Sequence, residues 1–469
     1  MDIKLHNSLS KNNETFSAID SNAVGMYTCG PTVYSFVTIG NWRTYVLGDL
    51  VHRVLKYNGF HVNYYMNITD VGHLTGDNSG DADTGVDRME KAKEREGGKN
   101  AWDIANFYSE DFIKGYSELN LLQPKAFLRA TEHIDEQISL IQKLFDSGLA
   151  YVIDDGVYFD TAKYEESGFV YGELSNLDQI IAGARVDFNN QKKNIRDFAL
   201  WKLSPKNSTR DMEWESPWGV GFPGWHIECS AMSMKYLGNQ FDIHVGGEDL
   251  KSTHHPNEIA QAQGATGVSP FVKYWLHGAF LQVDGGRMGK SLGNAYTLGD
   301  IKGKNIDPSA LRYFYMSSHY RSPLNFTWEA LEASNKALSR IKEYVSENAS
   351  NTEEIVEVDT FYKSKFISAI NNDLNIPLSL GILHELLHDK NISHSIKVKT
   401  ILNFDEVLGL GLAKSNVAEI PTEVLLIVER RENARNNKDW STADKLRIEI
   451  EDLGYKIKDT DDGQRVSKM

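Results

Sequence analysis

The chain has 469 residues, a length that predicts roughly two to four domains, each with its own apolar core. Hydrophobic residues make up 41% and charged residues 25%, and no apolar run is long enough to cross a bilayer, which argues against an integral membrane protein. The formal net charge of −15 disfavours indiscriminate binding of nucleic acid but allows a basic patch that grips one folded RNA. Residues 1–21 lack the order of an export signal, so we expect a cytoplasmic protein.

The first part of the chain has the pattern of a strand, a loop, a helix and a second strand. A short buried strand is expected at residues 23–29. Apolar residues then recur at helical spacing over 46–55, and Asn58 and Gly59 supply a helix stop. Residues 61–68 alternate and are rich in Val, Tyr and Ile, as a strand would be. This order predicts the opening of a doubly wound nucleotide-binding sheet.

Later segments predict an interruption of that sheet and a helical end. The chain between 151 and 218 is irregular, aromatic and rich in turns, which suggests an insertion. A strand candidate at 240–245 resumes the sheet, and from about Thr327 the pattern is almost wholly helical. We therefore predict an α/β fold with a Rossmann-type doubly wound parallel sheet, in four segments: the first half of the catalytic domain (1–130), an inserted connective segment (131–220), the second half (221–326) and a C-terminal α-helical domain (327–469).

Two glycine-containing loops have the composition of phosphate-binding loops. Residues 30–41 lie between a strand end and a helix start, where backbone N–H groups and the helix dipole favour anions, and Gly40 allows close approach. Residues 285–294 carry Arg287 and Lys290, and a positioned lysine can stabilise the charge that builds on a leaving pyrophosphate. A plain strand-to-helix loop and a surface turn with incidental basic residues are the respective alternatives.

Four residues of metal-ligating type stand out. Cys29 and Cys229 are the only cysteines and could form a disulfide, remain as buried thiols, or gather around a metal. A reducing cytoplasm argues against the disulfide. His254 and Glu258 lie four residues apart around a predicted helix start, which brings both side chains to one side. Because ligands so widely scattered match no short zinc pattern, buried thiols beside a helix-capping residue remain the alternative.

Several stretches, taken together and in order, resemble the cysteinyl-tRNA synthetases, which are class I aminoacyl-tRNA synthetases. The match covers nearly the whole chain. The matching stretches are residues 27–34, 67–70, 223–232, 241–244 with Gly246 and Gly247, and 254–260. The tail is similar to the family's C-terminal tRNA-binding region at Ala434-Arg435, Lys438-Asp439, Ala443-Asp444 and Asp459-Thr460.

This resemblance implies a cysteine–tRNA ligase. Such an enzyme uses ATP with Mg²⁺ to convert L-cysteine to cysteinyl-adenylate and then transfers cysteine to the 3′ end of tRNA(Cys). The resemblance also implies one Zn²⁺ per chain, which selects the thiolate of cysteine over the hydroxyl of serine. We expect a monomer without a membrane partner. The implied zinc ligands are Cys29, Cys229, His254 and Glu258.

The other site residues follow from the same resemblance. Thr69, Trp225 and His244 are expected to line the cysteine pocket. Thr38, Asn41 and Lys290 are expected to act in catalysis. The implied ATP-binding residues are Gly40, Asn41, Arg287 and Lys290.

The chain departs from the family pattern at two positions. Thr38 stands where the family's adenylation signature normally has histidine, and a hydroxyl cannot carry its charge, which could cost up to about 3 kcal/mol in the transition state. Residues 287–291 carry Arg287 and Gly289 where the family usually has Lys-Met-Ser-Lys-Ser, although Lys290 is retained. Two alternatives follow: a paralogous ligase that delivers cysteine to a small amine, and a catalytically weak tRNA-binding relative.

Overall fold

The computed structural model describes residues 2–72, 87–175, 189–205, 210–289, 292–349, 357–413, 421–460 and 463–468. The strands, in chain order, are β1 (Lys4–Asn7), β2 (Asn12–Thr15), β3 (Val24–Thr28), β4 (Val62–Ile68), β5 (Ala126–Arg129), β6 (Ala150–Ile153), β7 (Gly156–Phe159), β8 (Ala199–Leu203), β9 (Gly221–Pro223), β10 (Phe241–Gly247), β11 (Val272–Gly278), β12 (Leu281–Val283), β13 (Gly286–Arg287), β14 (Leu324–Phe326), β15 (Tyr455–Thr460) and β16 (Gly463–Lys468).

The α-helices follow the same order along the chain. They are α1 (Ile39–Tyr57), α2 (Arg88–Arg95), α3 (Ala101–Glu118), α4 (Ile134–Asp146), α5 (Thr161–Glu166), α6 (Trp225–Leu237), α7 (His254–Thr266), α8 (Leu298–Gly303), α9 (Pro308–Met316), α10 (Trp328–Ala349), α11 (Thr360–Ile370), α12 (Ile376–His388), α13 (His394–Leu408), α14 (Thr422–Asn436) and α15 (Trp440–Asp452).

A five-stranded sheet in the order β11-β10-β3-β4-β5 forms the centre of the fold, and its neighbouring strands are parallel. The chain winds from β3 through β4 to β5 in one direction, and β10 and β11 add on the other side of β3. The predicted doubly wound parallel sheet is thereby confirmed, with β3, α1, β4 and β10 close to their expected positions. The direction in which successive strands are added to the sheet reverses between β3 and β10. In doubly wound sheets, ligands bind at the carboxyl ends of the strands beside such a reversal.

Helix α1 is buried along most of its length, including polar residues. A charge in this position needs a partner, because water is excluded. Asp49 accepts hydrogen bonds from Arg53 Nε at 2.8 Å and from Arg312 Nη2 at 2.5 Å. Arg312 also donates through Nε to the carbonyl oxygen of Leu408 at 2.6 Å. This buried ion triad therefore joins α1, α9 and the end of α13.

An antiparallel four-stranded sheet, β6-β7-β8-β9, lies between β5 and β10 in the chain, and its last strand falls just past the insertion expected at 131–220. Its apolar side chains form a core separate from that of the parallel sheet, with α4 packed among them. Phe159 and Phe198 stack there with ring centroids 5.0 Å apart. The aromatic and turn-rich composition of the segment thus reflects a small β-structure.

The chain divides into two compact units, residues 1–412 and 413–469. Helices α10 to α13 belong to the first unit, where Phe366 and Phe404 stack at 4.0 Å. The change from strands to helices near Thr327 therefore does not coincide with the boundary between compact units. In the second unit, α14 and α15 pack with the antiparallel hairpin β15–β16, which the helical pattern did not predict.

Within the described residues, no helix combines the length and the apolar character that a membrane span requires.

Candidate active site and metal centre

The candidate site lies at the carboxyl ends of β3, β4 and β10. Cys29 directly follows β3, and its backbone N–H donates to the carbonyl oxygen of Val245 on β10 at 3.1 Å. Thr69 follows β4 and forms a parallel bridge with Thr32 in the loop after Cys29. The first turn of α1 begins after the same loop. The sheet therefore gathers into one crevice residues that lie far apart in sequence.

Four buried side chains, including that of Cys29, converge at this edge of the sheet. One potential ligand atom from each of Cys29, Cys229, His254 and Glu258 lies within 4.8 Å of all the others. The two Sγ atoms are 3.8 Å apart and the cysteines are free, so the disulfide alternative is excluded in this structure. Glu258 Oε1 lies 3.1 Å from His254 Nε2 and 3.7 Å from Cys29 Sγ. Two sulfurs, one imidazole and one carboxylate form a donor set that suits zinc.

A second group with metal-binding geometry overlaps the first. It comprises Cys29, His244, His255 and Glu258, again with ligand atoms within 4.8 Å of one another. His255 is held through Nδ1 by His277 Nε2 at 2.7 Å. The sequence analysis assigned His244 to the cysteine pocket and gave His255 no part in the site. Both histidine rings contact Trp275, with ring centroids 4.6 and 4.9 Å away, and only the three-dimensional contacts show that both histidines border the same cluster.

The charges of the cluster favour a cation. Burial raises the pKa of the Cys29 thiol, and its hydrogen bond with Cys229 raises it further. Burial also opposes ionisation of Cys229, but the contact with Cys29 and the nearby His254 outweigh it and lower its pKa. Burial alone would lower the pKa of His254, yet the charges of Cys229 and Glu258 raise it to about 10. Similarly, His244 and His254 overcome burial and lower the pKa of Glu258 to about 2. A divalent ion could replace the proton on His254.

The residues expected around the substrate border this cluster. The rings of Trp225 and His254 lie 4.5 Å apart. His244 contacts Glu258 Oε2 through Nε2 at 3.0 Å, whereas its buried Nδ1 has no hydrogen-bond partner among the described residues. Thr69 donates through Oγ1 to Glu228 Oε2 at 2.9 Å, and burial holds the pKa of this carboxyl well above its usual range. The sequence analysis missed Glu228.

The expected nucleotide-binding residues meet at the start of α1. Thr38 donates through Oγ1 to Asn41 Oδ1 at 2.7 Å. A Cβ atom on Gly40 would lie only 2.1 Å from Met288 Cε, so the absence of a side chain there lets the second loop pack against the first. Arg287 ends β13 with an exposed side chain. The structure thus brings the two loops together, while Lys290 lies outside the described residues.

Comparisons with known proteins agree with this arrangement. Residues 15–336 match the catalytic domain of class I (C) tRNA synthetases, and residues 418–466 match the anticodon-binding domain of cysteinyl-tRNA ligases. Cysteine–tRNA ligase 1 of Burkholderia lata is 45% identical, over 100% of this chain and 97% of the relative. The cysteine–tRNA ligase of Caldicellulosiruptor saccharolyticus is 39% identical, over the full length of both chains.

The chain belongs to the cysteine–tRNA ligase family.

Solved structures of other synthetases share the fold. The Mycobacterium tuberculosis methionyl-tRNA synthetase with methionyl-adenylate superposes with a TM-score of 0.54 at 14% identity, covering 90% of this chain and 96% of that one. The LeuRS–tRNA–LeuAMS complex of Agrobacterium radiobacter K84 gives a TM-score of 0.59 at 10% identity, covering 84% and 85%. This chain thus has its four buried donors on a fold that synthetases for other amino acids share.

Proposed function

We propose that this chain activates L-cysteine with ATP and transfers it to the 3′ end of tRNA(Cys). The observation that carries the proposal is the convergence of Cys29, Cys229, His254 and Glu258 at the switch point of the sheet, beside the N-terminus of α1. A thiol-binding centre and a phosphate-binding helix start are the two features that cysteine activation requires. Full-length similarity to cysteine–tRNA ligases supports the same reaction.

The proposed resident metal is one Zn²⁺ per chain. Its ligands would be Cys29, Cys229, His254 and Glu258, because two thiolates and an imidazole match zinc better than the group with one sulfur. Bound there, zinc would take the substrate thiolate as a further ligand, which the hydroxyl of serine cannot replace at neutral pH. The complete burial of Glu258 between His244 and His254 excludes water from this side of the centre.

The side chains around the centre position the substrate. Trp225, Thr69 and His244 line the cysteine pocket in this proposal, and the open Nδ1 of His244 offers a polar contact there. The carboxylate of cysteine then attacks the α-phosphorus of ATP, and pyrophosphate leaves. Orientation of the two reactants supplies much of the rate, because it makes the step effectively unimolecular.

The two loops at the start of α1 would hold ATP with its Mg²⁺. Gly40 and the backbone N–H groups of the first turn receive a phosphate group. Thr38 and Asn41 supply polar side chains, while Arg287 and Lys290 neutralise the charge that develops on pyrophosphate. Arginine keeps the cation at position 287, with a planar group in place of the ammonium group of lysine.

We assign the 413–469 unit to binding of the tRNA anticodon, which narrows the anticodon-binding domain expected at 327–469. Its two helices carry Arg430, Arg431, Arg435, Lys445 and Arg447 among a similar number of acidic residues. We keep 1–130, 131–220 and 221–326 as the other proposed functional segments. Arg435 lies over the ring of Trp440 at 5.6 Å, a pairing that suits stacking on a nucleobase. The protein is proposed to act as a monomer in the cytoplasm.

Exchange of labelled pyrophosphate into ATP tests the function. We expect exchange that depends on cysteine and not on serine, followed by charging of purified tRNA(Cys) in a second assay. Exchange without tRNA charging would favour a ligase that delivers cysteine to a small amine. Binding of tRNA without exchange would identify a catalytically idle relative and overturn the proposal.

Metal analysis of the purified protein tests the centre. We expect about one zinc per chain in the unmodified protein and a clear loss in Cys229→Ser, because the weaker donor no longer provides a thiolate. Ser230→Ala is the matched control, since Ser230 lies on the same helix and is buried against Gln261 at 2.6 Å. Equal zinc in all three proteins would rule out Cys229 as a ligand.

A further inference from the structure

The side chain of Arg43, about one turn after the start of α1, bridges two distant segments of the chain. Its Nη1 group donates to the carbonyl oxygens of Ala279 at 2.8 Å and Phe280 at 2.9 Å. Its Nη2 group donates to those of His319 at 3.2 Å and Ser322 at 2.6 Å. Arg43 is 5% exposed, so water offers little competition for these bonds. Each terminal nitrogen of the guanidinium group therefore holds one segment.

Both segments lead into the small sheet that carries the loop at 285–294, which is proposed to hold ATP. The first segment lies between β11 and β12, and the second precedes β14. Strands β12 and β14 are neighbours in the order β13-β12-β14, and β13 ends at Arg287. The two segments also bond to each other, since the backbone N–H of Ala279 donates to the carbonyl oxygen of Tyr320 at 2.8 Å. Arg43 thus attaches the base of this sheet to α1.

A separate set of contacts joins the chain just after this loop to the start of α1. Ile39 donates through its backbone N–H to the carbonyl oxygen of Tyr296 at 2.8 Å, and Thr38 forms an antiparallel bridge with Thr297. The loop is therefore attached to α1 both before and after its own residues. Its position relative to the proposed ATP site depends on both attachments.

Arginine suits the first attachment because its terminal group is charged, planar and forked. Burial lowers the pKa of Arg43 to about 10, so the side chain stays charged at neutral pH. Within the described residues its hydrogen-bond partners are all carbonyl oxygens, whose dipoles stabilise the charge. The fork presents two nitrogens to two different segments, whereas the ammonium group of lysine is a single point charge.

We infer that Arg43 is a positioning residue, which fixes the sheet β13-β12-β14 against α1 so that Arg287 meets the phosphate groups of ATP bound at the helix start. The inference rests on the proposed function, in which ATP lies there. A displaced sheet would misplace the cation as charge develops on pyrophosphate, and an error of about 1 Å can cost about 100-fold in rate. The proposed cysteine pocket is built on β4, α6 and β10 instead, so its geometry should not change.

Pyrophosphate exchange separates the effects on the two substrates. We expect Arg43→Gln to lower kcat by roughly 10- to 100-fold and to leave the KM for cysteine unchanged. Arg43→Lys keeps the charge, but one ammonium group cannot hold both segments, so kcat should again fall by about tenfold or more. Arg321→Gln is the control, because Arg321 lies in the second segment and its Nη2 contacts Asp373 Oδ2 at 2.6 Å rather than α1. It should leave kcat unchanged.

Limited digestion with trypsin measures the attachment without catalysis. The exposed side chain of Arg287 offers a cleavage site within the small sheet. We expect cleavage after Arg287 to become about tenfold faster in both Arg43 variants, because lost hydrogen bonds to a charged group favour local opening. Arg321→Gln should not change this rate. Cleavage after Lys235, which is 38% exposed on α6, is the internal reference and should stay constant.

Three outcomes would overturn the inference. Full activity in Arg43→Lys would show that the charge, rather than attachment of both segments, is what ATP chemistry needs. Faster cleavage after Arg287 and Lys235 alike, with a raised KM for cysteine, would show a general loss of structure. Unchanged kcat and cleavage in Arg43→Gln would show that the sheet is held without Arg43. If the unmodified protein shows no cysteine-dependent exchange, the proposed function fails, whereas the cleavage rates still test the attachment.

Discussion

Thr38 directly precedes α1, at the proposed ATP-binding site. Its hydroxyl donates to Asn41 and makes no side-chain capping bond to the helix. The hydroxyl is therefore not needed to start α1, and its cost to stability should be small. It can act on a phosphate group by turning from Asn41, but it cannot bring the positive charge that histidine would supply.

Replacement of Thr38 by valine tests this role. Valine keeps the branched shape and removes the donor, so we expect the kcat of pyrophosphate exchange to fall by about tenfold, the effect of about 1.4 kcal/mol. The melting temperature should stay the same. Because Thr38 does not border the thiol cluster, the KM for cysteine is also expected to be unchanged. A variant with full exchange activity would remove Thr38 from the catalytic residues.

At the scale of single elements, the buried triad of Asp49, Arg53 and Arg312 connects α1 with α9. Arg312 and the carboxylate of Asp49 are both 0% exposed. Removing one partner from such a group leaves a buried charge uncompensated, which costs about 3–5 kcal/mol. We therefore expect Asp49→Asn to lower the free energy of unfolding by an amount in this range, measured by urea unfolding followed through tryptophan fluorescence.

The control for this variant is an exposed ion pair in the same unit. Lys365 and Glu385 lie 2.6 Å apart with side-chain exposures of 36% and 51%. Glu385→Gln should change the free energy of unfolding by less than about 0.5 kcal/mol, because water screens the pair. Similar losses in both variants would contradict the special role of the buried triad.

The contribution of Asp49 also depends on pH. Burial opposes its ionisation, but Arg312 and Arg53 outweigh burial and hold the pKa of Asp49 below its ordinary value. A carboxyl with a lowered folded-state pKa stabilises the fold above its unfolded value, about 3.9, and loses this effect as pH falls through the folded value. The stability difference between the unmodified protein and Asp49→Asn should be full at pH 7 and shrink in acid. A difference that grows in acid would refute the assignment.

The elements differ in how far the sequence could predict them. The order β3-α1-β4 was predictable because its apolar residues recur every second residue in the strands and every three to four residues in the helix. The four donors stood out by residue type, and the family resemblance then implied that they bind zinc. Glu228 was missed because a glutamate within a helix normally indicates a solvated face, and its partner Thr69 lies 159 residues away. The terminal hairpin was missed although Tyr455 to Lys458 alternate between apolar and charged residues, because this alternation covers only four residues after a long helical pattern. Contacts between distant segments, rather than local pattern, decide these features.

At the scale of the whole molecule, the chain consists of two compact units. In the first unit, Asp405 holds the backbone just before the boundary. Its carboxylate accepts hydrogen bonds from the N–H groups of Leu410 and Leu412 at 2.6 and 2.7 Å. A chain ending at Leu412 keeps every residue of the candidate site. We expect it to retain cysteine-dependent pyrophosphate exchange and to lose efficient charging of tRNA(Cys).

Both assays are needed to interpret the truncation. Near-normal charging would show that the 413–469 unit does not serve tRNA binding. Loss of both activities with an unchanged melting transition would show that this unit supports activation itself.

The thiol cluster has a mechanical consequence as well. Cys29 and Cys229 are 200 residues apart in the chain, and Cys29 and Glu258 are 229 residues apart. An ion bound by all three would therefore link the two halves of the parallel sheet. Unfolding would then have to release the ion, and holding such long loops closed favours the folded state. Chelation should therefore lower the melting temperature of the first unit, and restored zinc should raise it again, in the absence of any substrate.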